Sequence, residues 1–273
     1  MILSGKPAAA KIYQKLQKDI KVFIGGKRKP EIASIILGQD PASLVYTQIK
    51  EKQAQKLGIN FHVYHLPGAA SQSQLEELIL DLNKNKYITG IIVQLPLPKN
   101  FDQEKILKTI APAKDIDGFY GKIPAPTAAA ILEILKFYHI SLQNKNIVIV
   151  GHGRLVGKPL TKLLIMQGLK PIICDSATYN LKEKTLQAKI IISAAGSPGL
   201  IKPEMVSKKA VIIDAGTAEA NGKLIGDVDP RVYDKISAYT PSPGGVGPVT
   251  VACLMRNVIH SAKKKPPKSK YNI

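Results

Sequence analysis

The fold is decided by Asn146-Ile147-Val148-Ile149-Val150-Gly151-His152-Gly153-Arg154-Leu155-Val156-Gly157-Lys158-Pro159. A short β-branched run ends in closely spaced glycines and passes into a helical pattern from Leu160 to Gly168. A strand, a tight turn and a phosphate-facing helix N-terminus read this way in sequence. The spacing is G-x-G-x-x-x-G rather than G-x-G-x-x-G, so the glycines alone are a partial signal. The next strand pattern, Lys170 to Cys174, is followed at once by Asp175, where a ribose hydroxyl would find its acidic partner. A Gly-rich turn serving only helix–strand packing is the plainer alternative. With strand, turn, helix, strand and acid in order, a dinucleotide site is the better reading.

Upstream of that stretch, helical and strand patterns alternate from the start. Lys6 to Phe23 reads as an amphipathic helix closed by Gly25-Gly26, and Glu31 to Leu37 as a buried strand. Asp40-Pro41 supplies an N-cap and N1 proline for a helix to about Leu57, with Gly58 as its stop. Asn60 to Leu66 is a second strand. Ser73-Gln74-Leu75-Glu76 reads as a capping box for a helix to about Asn83, and Ile88 to Leu95 as a third strand. Such repetition implies mainly parallel sheets covered on both faces.

Downstream, Pro124-Ala125-Pro126-Thr127 precedes a helix from Ala128 to Tyr138. Lys189 to Ser193 and Ala210 to Asp214 read as buried strands, ending in Ala194-Ala195-Gly196 and Ala215-Gly216-Thr217. Small residues there let a flat cofactor lie close to the backbone. Gly226-Asp227-Val228-Asp229 follows. Pro241 to Pro248 is too rich in Gly and Pro for regular structure and reads as a rigid binding loop before a closing helix, Val249 to about Ala262. The candidate cofactor set is Gly151, His152, Gly153, Arg154, Val156, Gly157, Asp175, Ser176, Ala195, Gly196, Gly216 and Thr217.

At 273 residues, two domains are expected. No apolar run is long enough to cross a bilayer and Met1 to Ala10 lacks the core of a signal peptide, so no membrane partner is expected. Cys174 and Cys253 are far apart in apolar contexts and form neither a disulfide framework nor a metal cluster, which fits a reducing, cytoplasmic setting. His62 and His65 lack companion ligands and read as core or surface histidines. The formal charge is +19, with five lysines crowded between Lys263 and Lys270. The rest of the excess is scattered and not interleaved with aromatics, so no specific nucleic acid is expected; an anionic substrate is the simpler partner.

In the second helix Ser43, Tyr46 and Lys50 stand at steps of three and four and share a face. Gln94 lies at the carboxyl end of a strand, the rim at which open α/β sheets bind ligands. Asp115 and Asp117 fall in the turn Asp115-Ile116-Asp117-Gly118-Phe119. Each of these has an ordinary reading, as surface or turn chemistry. Together they suggest a cleft between two domains.

Taken as a set, these motifs resemble the bifunctional methylenetetrahydrofolate dehydrogenase/methenyltetrahydrofolate cyclohydrolase family, over nearly all of the chain. The resemblance rests on Asp40-Pro41-Ala42-Ser43 with Tyr46 and Lys50, Gln94-Leu95-Pro96-Leu97-Pro98, Lys114 to Phe119, Val156-Gly157-Lys158-Pro159 and Pro243-Gly244-Gly245-Val246-Gly247-Pro248 with Thr250-Val251-Ala252. It implies an N-terminal α/β catalytic domain for folate (residues 1–120) and a Rossmann-like NAD(P)-binding domain (121–273) with a cleft between them. The helix near 249–262 is expected to pack back on the first domain, and a homodimer to form through the cofactor domain. The resemblance implies Lys50 as catalytic lysine, Tyr46 packing on the folate, Gln94 tuning the lysine and Asp117 holding the pterin. Ser43, Leu95, Pro96, Pro243, Gly244 and Gly245 join them as substrate contacts. No metal is implied.

The chain departs from the family in two places. Only Tyr120-Gly121-Lys122-Ile123 separate Phe119 from Pro124-Ala125-Pro126-Thr127, where the family carries a longer loop ending in Pro-Cys-Thr-Pro. This raises a dehydrogenase with weak or absent cyclohydrolase as an alternative. His152-Gly153 and Asp175-Ser176 stand where users of NADP carry Arg-Ser and a polar or basic pair. Family habit favours NADP; Asp175 favours NAD. Two rival classes are a dehydrogenase of amino or hydroxy acids, for which no carboxylate-binding set is present, and a non-enzymatic basic nucleotide- or RNA-binding protein.

Overall fold

The computed structural model describes residues 1–24, 28–120, 123–220 and 223–263. The expected Gly25-Gly26 stop, half of the short loop (Gly121-Lys122) and the basic tail beyond Lys263 lie outside the described residues. The chain forms two compact units. One comprises Gln14–Ile123 with Leu254–Ile273, the other Met1–Tyr13 with Pro124–Cys253. Where the sequence suggests one cut at 120/121, the compact units therefore also exchange short pieces of the two ends.

The first unit takes the second half of α1 (Gly5–Ile24) and continues through β1 (Glu31–Leu37), α2 (Pro41–Lys56), β2 (Asn60–Leu66), α3 (Gln72–Lys84), β3 (Gly90–Val93) and α4 (Gln103–Thr109). Its sheet is parallel, in the order β2-β1-β3, with Ile32 opposite both Phe61 and Gly90. The central strand β1 is buried from Glu31 to Ile36, as a parallel strand covered on both faces must be. Ala33 and Ile35 pack with Leu75, Ile79 and Leu82 of α3 and Ile106 and Leu107 of α4.

The caps explain where the helices begin. Asp40 accepts the Ser43 N–H at 2.8 Å and Pro41 occupies the first helical turn, so α2 starts where the sequence places it. The capping box of α3 is Ser71 with Gln74, not Ser73 with Glu76: Gln74 N–H donates to Ser71 Oγ at 3.2 Å and Ser71 N–H to Gln74 Oε1 at 2.8 Å. The chemistry is the expected one, two residues earlier, because glutamine serves the box as well as glutamate. At the other end of α3, Lys114 Nζ donates to the carbonyls of Leu82 (2.6 Å) and Asn85 (2.7 Å), satisfying acceptors the helix leaves open.

The second unit contains α5 (Pro126–Phe137), β4 (Ile147–Val150), α6 (Gly157–Met166), β5 (Ile172–Cys174), α7 (Leu181–Gln187), β6 (Ile190–Ser193), β7 (Val211–Asp214), the hairpin β8 (Ala218–Ala220) and β9 (Lys223–Ile225), β10 (Ala238–Tyr239) and the first half of α8 (Val246–Lys263). Five strands form a parallel sheet in the order β10-β7-β6-β4-β5. The β10 edge is extended by the start of the chain, where Leu3 N–H donates to Tyr239 O at 2.7 Å. Among the described residues no strand pairs with the outer side of β5, and Ile172 and Ile173 are 38% and 37% exposed.

Two further helices start three residues earlier than the sequence suggests. The helix α6 begins at Gly157 rather than Leu160. The helix α8 begins at Val246, so Val246-Gly247-Pro248 forms its first turn instead of a loop. A proline fits there because the N–H groups of a first turn have no partner inside the helix. Among the described residues no helix is long and apolar enough to cross a membrane.

Candidate functional site

Both sheets have a point where successive connections leave in opposite directions, between β1 and β3 in the first unit and between β4 and β6 in the second. Ligands bind outside the carboxyl ends of strands at such points. The candidate residues fall on these two rims.

On the first rim, Gln94 follows β3 directly, and its backbone N–H donates to Ile35 O of β1 at 2.9 Å. Its side-chain Nε2 donates to the carbonyl of Leu95 at 2.9 Å. That bond fixes which way the amide faces and turns Oε1 toward Lys50, whose Nζ donates to it at 2.9 Å. Lys50 sits three turns into α2, half-buried, on the face it shares with buried Ser43 and half-buried Tyr46. Burial lowers the lysine pKa, partly offset by the negative charge of Asp117. Burial also pushes the Tyr46 hydroxyl up. Pro96, after a cis peptide bond with Leu95, is exposed.

The turn after α4 separates two aspartates that their spacing alone leaves equivalent and that only the family resemblance tells apart. Asp115 is buried and accepts the N–H groups of Gly118 and Tyr120, each at 2.9 Å, so it builds the turn. Asp117 is thereby left to face the lysine. Burial pushes its carboxyl up to about 6; the Lys50 charge opposes this and Asp115 adds to it. The turn is also tied from α8, where buried Asn257 donates its Nδ2–H to Ile116 O at 2.9 Å. Asn257 has no motif around it, and nothing in the sequence singles it out. The first rim thus offers a desolvated amine held by an amide, a carboxylate of raised pKa and a tyrosine.

On the second rim the glycines sort into two kinds. A Cβ on Gly151 would lie 2.4 Å from Ala194 O, and one on Gly157 2.0 Å from Gly151 O. These glycines serve close packing between β4, β6 and α6. A Cβ on Gly153 or Gly196 would meet nothing closer than 3.8 Å, and Gly196 has φ +65°. These two lie exposed at the strand ends with His152, Arg154, Ala195 and Thr217 around them in sequence, leaving bare backbone that a flat ligand can approach. Gly216 is different again. Its Cβ position is filled by the Asp227 carboxyl, 2.1 Å away, so its smallness has a reason in the protein itself. Val156 caps α6 without a side-chain hydrogen bond, leaving the helix N-terminus to other acceptors.

Asp175 is exposed after β5. Its Oδ1 accepts from Ala177 N–H and Thr178 Oγ1–H, each at 3.1 Å, and Ser176 lies exposed in the same turn. The loop Pro243-Gly244-Gly245 is held to the start of α1: Gly5 N–H donates to Gly244 O at 2.9 Å, and Gly244 takes φ +101° with open space at its Cβ position. His62 pairs with Glu31 at 3.2 Å, a partner the sequence does not reveal.

Models of two domains match the chain: the tetrahydrofolate dehydrogenase/cyclohydrolase catalytic domain over residues 3–117, and the NAD(P)-binding domain of the same name over 125–266. The bifunctional protein FolD of Aquifex aeolicus is 42% identical over 279 residues, covering 97% of this chain and 96% of that protein. The crystal structure of the FolD methylenetetrahydrofolate dehydrogenase/cyclohydrolase of Campylobacter jejuni superposes with a TM-score of 0.90 at 36% identity, covering 96% of this chain and 98% of that one. The Trypanosoma brucei enzyme, solved with NADP cofactor and an inhibitor, gives 0.88 at 31% identity, covering 96% and 97%.

Proposed function

The chain belongs to the tetrahydrofolate dehydrogenase/cyclohydrolase family, and from that premise we propose that Lys50, Gln94, Asp117 and Tyr46 carry its two reactions. It is a methylenetetrahydrofolate dehydrogenase and methenyltetrahydrofolate cyclohydrolase of one-carbon folate metabolism. The observation that carries the assignment of roles is the Lys50–Gln94 bond at 2.9 Å, with the amide fixed by Leu95 O.

In the first reaction the methylene carbon bridging N5 and N10 of the folate loses a hydride and becomes a methenyl cation. A bound nicotinamide supplies the hydride acceptor. The chain's part is orientation, which alone can supply several kcal/mol of a barrier. Tyr46 packs on the folate and Asp117 holds the pterin, with Ser43, Leu95 and Pro96 as further contacts. In the second reaction water adds to the methenyl carbon and gives up both of its protons in turn; one is balanced by the proton that N5 receives as the C–N5 bond breaks, the other passes to solvent, and 10-formyltetrahydrofolate results. Lys50 moves these protons. Its lowered pKa brings the free amine nearer to neutral pH, where an acid–base group works best, and a cationic substrate disfavours the ammonium further.

The cofactor set on the second unit is Gly151, His152, Gly153, Arg154, Val156, Gly157, Asp175, Ser176, Ala195, Gly196, Gly216 and Thr217. Gly153 and Gly196 supply open backbone, and the N-terminus of α6 supplies N–H groups to phosphate. NAD is accepted at least as well as NADP: the exposed Asp175 carboxylate repels a 2′-phosphate and keeps Oδ2 for ribose hydroxyls. The protein is a homodimer, supported by the β5 edge with Ile172 and Ile173 exposed. A cytoplasmic location suits its two free, buried thiols.

Absorbance-followed turnover of 5,10-methylenetetrahydrofolate with NAD and then NADP, in wild type and Lys50→Met, tests the reading. Wild type forms methenyl and then formyl product with both nucleotides. The variant retains hydride transfer in part and loses hydrolysis by about a hundredfold or more. A variant that hydrolyses normally removes Lys50 from the mechanism, and a strong NADP preference removes the role given to Asp175.

A further inference from the structure

Two buried carboxylates lie behind the second rim, outside the residues assigned above. Asp227 is 0% exposed and Asp214 3%. Asp227 Oδ2 accepts Ser193 Oγ–H and Ala195 N–H, and its Oδ1 accepts Ser197 N–H, each at 2.7 Å. Asp214 Oδ1 accepts the N–H groups of Gly216 and Asp227, and its Oδ2 that of Val228, each at 3.1 Å. None of these six donors is a cation. Burial pushes Asp214 up to about 6, and the charge of Asp227 adds to the effect.

Carboxylates buried without a cation are costly, and a chain that needed only packing would use apolar side chains of the same size. These two are arranged in series. Asp214 fixes the backbone of residue 227, and Asp227 fixes the turn that follows β6. The glycines make room for both: a Cβ on Gly226 would lie 2.0 Å from Asp214 Oδ2, and one on Gly216 would enter the Asp227 carboxyl. The turns after β6 and β7 are past the end of the sheet ladder, so side chains must supply their acceptors. Those turns carry exposed Ala195, Gly196 and Thr217.

We infer that Asp227, seated by Asp214, is a positioning residue for the nicotinamide nucleotide: it sets the backbone of residues 195–197 in the shape that the nucleotide meets. This rests on the reading of the second unit as the nucleotide site. A carboxylate is needed rather than an amide. Both oxygens of Asp227 face backbone N–H groups, so an asparagine places its NH2 against one of them, donor to donor.

The test is Asp227→Asn in the full-length enzyme, with three readouts. Calorimetric titration with NAD alone and NADP alone gives nucleotide affinity. Hydrogen exchange reports the Ala195 and Ser197 amides. Hydrolysis of added methenyltetrahydrofolate, which consumes no nucleotide, reports the first rim. The variant is expected to bind nucleotide about tenfold more weakly, to exchange both amides faster, and to keep hydrolysis within about twofold, as sites without shared partners do. A folded variant with wild-type affinity overturns the inference. If Asp227→Asn does not fold, Ser193→Ala, which keeps both backbone bonds, decides. Weaker nucleotide binding by about threefold with unchanged hydrolysis supports the inference, and unchanged binding overturns it. Wild-type protein that binds neither nucleotide overturns instead the cofactor reading on which the inference rests.

Discussion

Burial acts on Lys50 and Asp117 in opposite directions along the pH scale, and the consequences for stability are opposite too. Asp117 stands at about 6 in the folded chain and near 3.9 when unfolded. Between those values the folded state holds more protons, so stability falls as pH rises through the window and is level above it. Lys50 is lowered, so between its folded value and 10.4 or so the unfolded state holds more protons, and stability rises with pH there. Asp117→Asn removes the first dependence. Relative to wild type it gains on the order of 1–2 kcal/mol between about pH 4 and 7, measured by urea unfolding across that range. A difference independent of pH would mean that Asp117 titrates as it does in water. At this scale Lys50 and Gln94 were legible because helix spacing and a strand end place them. The division of labour between Asp115 and Asp117 was carried by the family resemblance and not by the residues themselves, since it depends on which one meets the N–H groups of Gly118 and Tyr120. Asp227 was illegible for a similar reason: its partners are backbone amides some thirty residues away, and backbone amides leave no mark on sequence.

Among the elements, strands β1 and β2 coincide with the sequence reading to the residue, because unbroken apolar or alternating runs between glycines and prolines leave no other register. Among the α-helices and strands, those missed were α7, the β8–β9 hairpin and β10, none longer than seven residues. Short segments like these carry too few apolar positions to show a period, and tertiary contacts decide them. The helix α8 shows what an element contributes beyond its own packing. Asn257 reaches from it to Ile116 O and so steadies the turn that aims Asp117. Asn257→Ala leaves that buried carbonyl without the bond, and a loss of about 1–3 kcal/mol is expected in denaturant unfolding. Hydrolysis should slow as well, because the carboxylate is less well aimed. Full activity with lowered stability would confine Asn257 to the scaffold.

At the scale of the whole molecule, the β5 edge, which no described strand pairs, needs an explanation. An apolar edge strand left bare invites pairing with another chain. If the second copy covers it, replacing Ile172 and Ile173 together with lysine gives a monomer in sedimentation velocity with an unchanged circular dichroism spectrum. A wild-type protein that already sediments as a monomer refutes the dimer. The opposite edge is settled within the chain, where Leu3 bonds Tyr239 and Gly5 bonds Gly244. This closure has a consequence for how the protein is made. The ribosome releases Leu3 and Gly5 long before their partners Tyr239 and Gly244. At ordinary elongation rates the nascent N-terminal segment waits roughly 10–50 s for the edge it completes. A chaperone or a neighbouring polysome can reach that segment during the wait, so slowing translation of the codons between the two partners should lower the yield of folded enzyme without a single change of residue.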